Sequence, residues 1–230
     1  MQEREELVAE TPTDDLDFAS APVVLELFSS QACVFCPKAD ALLAAEIKTP
    51  DVIAIACHVD YFDVKTGSLA QHFCTERQDW YMEVLRAGPN YTPQLVVNGQ
   101  YDVVGHKEND VRTAIDKASD ASTIKPLSIK KTGKGQYQAS WQSFTDDDDL
   151  TAWVFLLDKP HPVKIAEGRN KGTETTYLNI ASSLQKQQGF NPQAGTLSIT
   201  VEVQDAHQTL VVLVQEEHTG KVVAAGQSPL

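Results

Sequence analysis

The feature that constrains the fold most is the pair Cys33 and Cys36, which lies between an apolar run and an amphipathic run. The residues before the pair, "APVVLELFSS" at 21–30, have the apolar and β-branched pattern of a buried parallel strand. After Pro37 the apolar residues recur at helical spacing: Ala39, Leu42, Leu43 and Ile47. The sequence therefore predicts a C-x-x-C motif on a strand-to-helix turn.

Cysteines in this position have a specific chemistry. Unpaired backbone N–H groups and the helix dipole stabilise a thiolate at a helix N-terminus, which favours Cys33 as the nucleophile. Cys36, inside the first turn, can then resolve a mixed disulfide. Pro37 suits an early helical position, where its missing N–H costs nothing.

Two other interpretations stay open at this point. A C-x-x-C is half of a zinc site, and Cys57, His58 and Cys74 are candidates for further ligands, although their spacing matches no second ligand pair. This alternative is a metal-binding or metal-delivery protein using Cys33, Cys36 and His58. The second alternative is a non-catalytic interaction module in which the pair is a structural disulfide.

The first half of the chain alternates strands and helices. A second buried strand starts at Asp51, a helix covers about 69–87, and residues 92–106 form a β-hairpin that turns at Asn98-Gly99. A further amphipathic helix gives the order β-α-β-α-β-β-α. The second half has alternating apolar runs separated by turns, which predicts antiparallel strands packed as a sandwich, with 176–190 also as strand. We expect an acidic, mobile segment at 1–20 and domains at 21–122 and 123–230.

Thr92-Pro93 directly precedes the first strand of the hairpin. An X-Pro bond that opens a strand beside the cysteines can present its backbone to a partner's extended chain. Together with the C-x-x-C turn and the element order, it indicates a thioredoxin-like α/β fold with a mixed central sheet.

Composition excludes several function classes. The formal net charge of −13 argues against nucleic acid as a partner, since phosphate binding needs clustered cations. No apolar run approaches the roughly 20 residues that span a bilayer. Residues 1–20 lack the apolar core of a signal peptide, as in a cytoplasmic protein or one whose leader has been replaced. The sequence contains neither a dinucleotide-binding motif nor a P-loop motif, so it predicts no organic cofactor.

The motifs "LELFSSQACVFCPKADALL", "HVDYFD", "ERQDWY", "YTPQLVVNG" and "EGRNKGTE" resemble a bacterial thioredoxin-like family, domain of unknown function 1223. The resemblance runs from about Pro22 through the β-rich half. It implies a thioredoxin fold with an appended β domain and export to the periplasm or secretion. It also implies that Cys33 and Cys36 are the redox pair and that Pro93 is a cis-proline. Many relatives carry small polar residues where this chain has Val34-Phe35, so the redox potential of those relatives cannot be assigned to this chain.

Other residues leave alternatives open. Glu26, in the strand before the cysteines, either relays a proton to the resolving thiol or pairs with a neighbouring helix. Cys57 and Cys74 are either a second disulfide, which an oxidising compartment favours, or two buried thiols. His58 is a general base, a ligand or, more often for such residues, a histidine hydrogen-bonded within the fold.

Two polar segments also have predicted roles. The acidic run 146–149 is typical of a solvated turn rather than a calcium loop, because it lacks the required ligand spacing. The segment "EGRNKGTE", with Arg169 and Lys171, is expected to pack against the first half near the cysteines. The expected partners are proteins or small molecules that carry thiols or disulfides.

Overall fold

A computed structural model describes residues 21–62, 68–142, 149–165 and 169–230 of the chain. The predicted segment 1–20, Asp63 and residues 146–148 lie outside the described residues. The first half contains β1 (Val23–Ser29), α1 (Cys36–Glu46), β2 (Val52–His58), α2 (His72–Leu85), β3 (Gln94–Val97), β4 (Tyr101–Val104) and α3 (Glu108–Asp120).

The predicted order β-α-β-α-β-β-α is confirmed. These strands form one mixed sheet in the order β2-β1-β3-β4, with β1 parallel to β2 and antiparallel to β3. The hairpin turns at Asn98 and Gly99, whose φ angles of 52° and 65° suit the left-handed turn typical of Asn-Gly. Two boundaries differ from expectation: α1 starts at Cys36 itself, and α2 starts at His72.

The second half is built from strands, as predicted. They are β5 (Lys125–Pro126), β6 (Ser128–Gly133), β7 (Gln136–Ser140), β8 (Leu150–Asp158), β9 (His161–Lys164), β10 (Glu174–Tyr177), β11 (Ala181–Gln188), β12 (Thr196–Thr200), β13 (His207–Glu216) and β14 (Val222–Pro229). A five-stranded sheet, β11-β8-β13-β14-β5, faces a three-stranded sheet, β12-β7-β6, and β9 pairs with β10. In the described part of the chain, no helix is both long and apolar enough to cross a membrane.

The five-stranded sheet is buried on both faces. Along β8, Val154 and Leu156 pack toward the three-stranded sheet. Trp153 and Phe155 pack into a second core, which contains α2 and the side chains of β1 and β2 that face α2. Side chains alternate between faces along a strand, which is why one strand serves two cores. Helix α2 therefore lies between the mixed sheet and the five-stranded sheet.

The second half also covers the free edge of the mixed sheet. The backbone N–H of Ala56 on β2 donates to the carbonyl of Asn179, at 2.9 Å, and Ala56 forms an isolated parallel bridge with Ile180. The Asn179 side chain donates to the Ala54 carbonyl, also at 2.9 Å. Because these contacts and the α2 core join the halves, the division at residue 122 stays a prediction.

Candidate functional site

The C-x-x-C turn joins β1 to α1. Cys33 and Cys36 form a disulfide with their Cα atoms 5.4 Å apart. Cys36 is the first helical residue and is fully buried, whereas Cys33 lies in the preceding turn and keeps 8% of its surface exposed. Of the two cysteines, only Cys33 therefore keeps any exposed surface.

The Thr92–Pro93 peptide bond is cis and lies next to this turn. Strand β3 runs antiparallel to β1 and pairs Gln94 with Phe28, so Thr92 and Pro93 continue toward the end of β1 from which the cysteine turn leaves. The hydroxyl of Thr92 is buried and makes no hydrogen bond to any described residue.

Gly105 allows Pro93 to lie against α1. Its N–H donates to the Pro93 carbonyl at 2.9 Å. A Cβ at this position would lie 3.0 Å from Leu27, 3.3 Å from Ala39 and 3.4 Å from Pro93. The absence of a side chain at Gly105 thus permits close contact between the proline and the helix that carries Cys36.

Exposed apolar side chains lie between the two cysteines and beyond the end of the neighbouring strand β2. Val34 and Phe35, between the two cysteines, are 44% and 58% exposed, and Phe35 stacks on His106 with ring centroids 4.7 Å apart. Tyr61 and Phe62, just beyond the end of β2, are 41% and 54% exposed. We refer to these four exposed residues, Val34, Phe35, Tyr61 and Phe62, as the apolar rim. Scattered apolar residues are common on surfaces, so these four gain interest only because they lie at the end of the sheet from which the cysteine turn leaves.

Asp40 is a site residue that the sequence interpretation missed. It follows Cys36 by four residues on α1, a spacing that places two side chains about 5–6 Å apart at Cβ. Part of the Asp40 side chain reaches the surface, but both carboxylate oxygens are buried and neither makes a well-aligned hydrogen bond to a described residue. Burial raises the pKa of Asp40 to about 7, and the nearby Ser29 hydroxyl partly opposes that rise. The spacing from Cys36 was the available signal.

Ser29 and His58 face the same side of the sheet as α1. They are register partners on β1 and β2, and strand alternation turns both toward Asp40 and away from α2. Nε2 of His58 and the Ser29 hydroxyl are buried without a hydrogen-bond partner among the described residues. Burial lowers the pKa of His58 to about 4, so the imidazole is neutral at pH 7, packed edge-on against Tyr177.

Glu26 adopts the second of its two predicted arrangements. It shares a face of β1 with Val24 and Phe28, which pack toward α2, so it points away from α1 and Cys36. Its carboxylate accepts hydrogen bonds from Arg77 on α2, at 2.5 Å from Nε and 2.8 Å from Nη2, and one from the Tyr81 hydroxyl. Strand alternation therefore makes Glu26 a paired structural acid.

The Arg77 guanidinium extends this network into the second half. Its Nη2 donates to Oε1 of Gln215 on β13 at 2.7 Å, and Gln215 donates to the Tyr81 hydroxyl at 3.0 Å. The guanidinium carbon lies 4.5 Å from the ring centroid of Trp153 and 5.1 Å from that of Phe155, both on β8. Cation–π contacts of this kind are stronger when they are desolvated.

The second pair of cysteines is bridged. Cys57 on β2 and Cys74 on α2 form a disulfide with Cα atoms 5.3 Å apart, and both residues are buried in the core around α2. Because the bond lies on the opposite face of the sheet from α1, it is a structural link rather than part of the site.

Removing this link is expected to destabilise the fold. The bond closes a loop with a sequence separation of 17 residues, for which loop-closure entropy gives about 3 kcal/mol. Urea unfolding of Cys57→Ala/Cys74→Ala should show a loss of about that size. A loss below about 1 kcal/mol would mean that the bond is not formed in the native protein, and thiol titration of the denatured wild-type protein would decide the matter.

The second half contributes directly to the cysteine turn. The Asn170 side-chain amide donates to the carbonyl of Cys33 at 2.7 Å and to that of Gln31 at 3.0 Å. The expected packing of the "EGRNKGTE" segment near the cysteines is thus seen at Asn170, while Glu167 and Gly168 lie outside the described residues. We call residues 169–172, a turn between β9 and β10, the basic arm.

Two further acids, Asp60 in the motif "HVDYFD" and Asp149 in the acidic run, pair with other side chains. Asp60 bonds to Thr75 and His72 near the start of α2, and these contacts lower the pKa of its carboxyl. Asp149, the described end of the acidic run, lies 3.2 Å from the His218 imidazole. Among the described residues, no three His, Cys, Asp or Glu side chains are grouped as metal ligands.

A family model described as "Protein of unknown function (DUF1223)" matches residues 24–215. The chain belongs to this family. A comparison with curated proteins found no match. The chain is similar to the X-ray structure of protein AGR_C_4864 from Agrobacterium tumefaciens, with 25% identity, a TM-score of 0.71, and coverage of 92% of this chain and 94% of that one. The agreement in mixed α/β architecture thus extends over both halves.

Proposed function

We propose that this DUF1223 protein is a thioredoxin-like thiol–disulfide oxidoreductase in which Cys33 and Cys36 form the redox pair. The observation that carries the proposal is the disulfide at the β1–α1 turn, in which Cys36 is fully buried and Cys33 keeps 8% of its surface exposed. The cis bond at Thr92–Pro93 beside this turn adds support. An extended partner strand would pair with the backbone there and place its sulfur at Cys33.

The exchange proceeds in two displacements. The Cys33 thiolate attacks one sulfur of a partner disulfide, the partner S–S bond breaks, and the departing partner thiolate takes up a proton. The Cys36 thiol then loses its proton, and its thiolate attacks Sγ of Cys33. The mixed disulfide breaks, the second partner thiolate leaves, and the pair is oxidised while the partner disulfide is reduced. Attack by a partner dithiol runs the same steps in reverse.

In this scheme Asp40 accepts the proton of Cys36. A group whose pKa is near 7 can both take and return a proton at neutral pH, which is what general acid–base catalysis requires. Asp40 is one helical turn from Cys36, and apart from the nearby Ser29 hydroxyl no described side chain competes for its oxygens. Neutral His58, near Ser29 on the same face, adds no competing charge.

The test is the reduction potential of the Cys33–Cys36 pair in glutathione buffers, with Cys57→Ser/Cys74→Ser as the background. We expect a reversible couple between about −120 and −270 mV, the range of working redox proteins. Cys33→Ser should reduce exchange with glutathione disulfide to the uncatalysed rate, whereas Cys36→Ser should trap a mixed disulfide on Cys33. A potential below about −300 mV would make the pair structural and overturn the proposal.

We propose that the protein works in an oxidising compartment, as a periplasmic or secreted protein. The two disulfides support this location, because disulfides persist outside the reducing cytoplasm. The metal-delivery alternative has no specific observation in its favour: Cys33 and Cys36 are bridged, and His58 faces Ser29 and Tyr177.

A further inference from the structure

The basic arm is held against the disulfide by contacts of its own. The Asn170 amide spans the carbonyls of Gln31 and Cys33, and the Asn170 carbonyl accepts from Thr173 at 3.1 Å. The N–H of Gly172 donates to Ile165 at 2.8 Å, which ties the turn to the end of β9. An ordered turn from the second half is thus anchored on the backbone of the nucleophilic cysteine.

The two residues that flank Asn170 are both cationic and exposed: Arg169 and Lys171. Neither forms an ion pair or a side-chain hydrogen bond with any described residue. Consecutive Cα atoms lie about 3.8 Å apart, so anchoring Asn170 on the Cys33 carbonyl places the backbone of both cationic residues close to the cysteine turn. Lys38, two residues after Cys36 on α1, adds another exposed cation.

The positive charge of Arg169 and Lys171 is opposite in sign to the net charge of the whole protein. With a formal net charge of −13, the protein as a whole repels an anionic partner. Two cations near the cysteine turn add positive charge that acts over about one Debye length, which is about 8 Å at physiological ionic strength. The carboxylate oxygens of Asp40, one helical turn from Cys36, are buried and present no negative charge at the surface beside these cations.

We propose that the basic arm selects partners that carry carboxylates close to the reacting sulfur atoms. This inference rests on the proposed function and names its substrate class: acidic thiols and disulfides, either small molecules or acidic segments around a protein cysteine. The partner sulfur approaches Cys33 across the apolar rim, while its carboxylates lie near Arg169 and Lys171. The step itself is the exchange described above, and the arm takes no part in the transfer of electrons or protons.

The test compares disulfides of different charge with the reduced protein at about 0.01 M ionic strength, where the Debye length is about 30 Å. The probes are glutathione disulfide, which is anionic, hydroxyethyl disulfide, which is neutral, and cystamine, which is cationic. The variant is Arg169→Gln/Lys171→Gln. The matched control is Lys48→Gln/Lys134→Gln, which removes two exposed cations from the far end of α1 and from the β6–β7 turn.

We expect the arm variant to lower the ratio of the glutathione disulfide rate to the hydroxyethyl disulfide rate about five-fold, and to raise the relative rate of cystamine. The estimate follows from two charge pairs at about 9 Å in water. The control should change the ratio less than two-fold, and salt at about 0.15 M should reduce the wild-type preference. A second series, with peptide disulfides flanked by Asp and Glu or by Lys, distinguishes small molecules from protein segments as the source.

Three results would overturn the inference. The first is a ratio that the arm variant leaves unchanged in both series of disulfides. The second is an equal change of the ratio in the control variant. The third is a slowing of all probes by the same factor in the arm variant. The last result would mean that the arm acts only on Cys33 reactivity. If no probe reacts even with the wild-type protein, the proposed function itself fails, and the inference fails with it for a different and recognisable reason.

Discussion

Replacing Arg77 by methionine is expected to lower the free energy of unfolding by about 3–5 kcal/mol, because it leaves the Glu26 carboxylate buried without its cation. Glu26 is 1% exposed and Arg77 is 0% exposed at their side chains, so water cannot replace the lost partner. The same change leaves Gln215 without its donor from the first half of the chain. Urea unfolding monitored by tryptophan fluorescence would measure the loss.

Two further variants make this prediction specific. Glu26→Gln combined with Arg77→Met removes both charges and should recover a large part of the stability, since the penalty comes from an unpaired buried charge. Arg112→Met removes an exposed partner of Glu108, with a side chain 60% exposed, and should cost no more than about 1 kcal/mol. If Arg77→Met and Arg112→Met cost the same, Arg77 does not stabilise the junction between the halves.

Replacing Asp40 by asparagine is expected to change how stability depends on pH. Asp40 has a pKa of about 7 in the folded protein and an ordinary value of 3.8, so the folded state holds its proton over a range in which the unfolded state has lost it. Wild-type stability should therefore fall as pH rises from about 4 to about 7, by up to about 4 kcal/mol from this group. Asp40→Asn should lack that decline and be more stable than wild type at pH 8.

The same variant tests the role of Asp40 in exchange. With Asp40→Asn, attack by Cys36 on the mixed disulfide should slow about 100-fold or more at pH 7, because the buried thiol loses its proton acceptor. The rate profile should also lose its inflection near pH 7. Asp116→Asn, which changes an exposed acid on α3, is the control and should leave both properties as in wild type. If Asp40→Asn resolves the mixed disulfide at the wild-type rate, Asp40 has no part in the proton transfer.

The local features of the chain could be predicted from the sequence because they depend on neighbouring residues. The strand, the cysteine turn and the proline-initiated helix at residues 23–46 follow from periodicity and turn chemistry. The hairpin at Asn98-Gly99 can be predicted because these two residue types readily adopt the positive φ angles of a tight turn. The β-rich second half follows from its alternating runs, and β11 lies within 176–190, which the sequence predicts as strand.

The charged and polar groups of the interior depended on tertiary structure. Whether Glu26 faces Cys36 or Arg77 depends on which face of β1 receives α1 and which receives α2, and β1 is buried on both faces, so its own pattern does not distinguish them. Arg77 bonds to Gln215, 138 residues away, and Asn170 bonds to Cys33, 137 residues away. No local pattern predicts partners at such separations.

The position of the Cys33–Cys36 disulfide can therefore be predicted from the sequence alone, because a strand, a C-x-x-C turn and a helix are encoded within 24 residues, 23–46. Which acid lies beside this disulfide, and which residues surround it, depend on the tertiary structure. Packing buries the Asp40 carboxylate and brings the basic arm to Cys33. The physical reason is that the pKa of a group and the field around a site depend on desolvation and nearby charges, and packing between distant segments sets both.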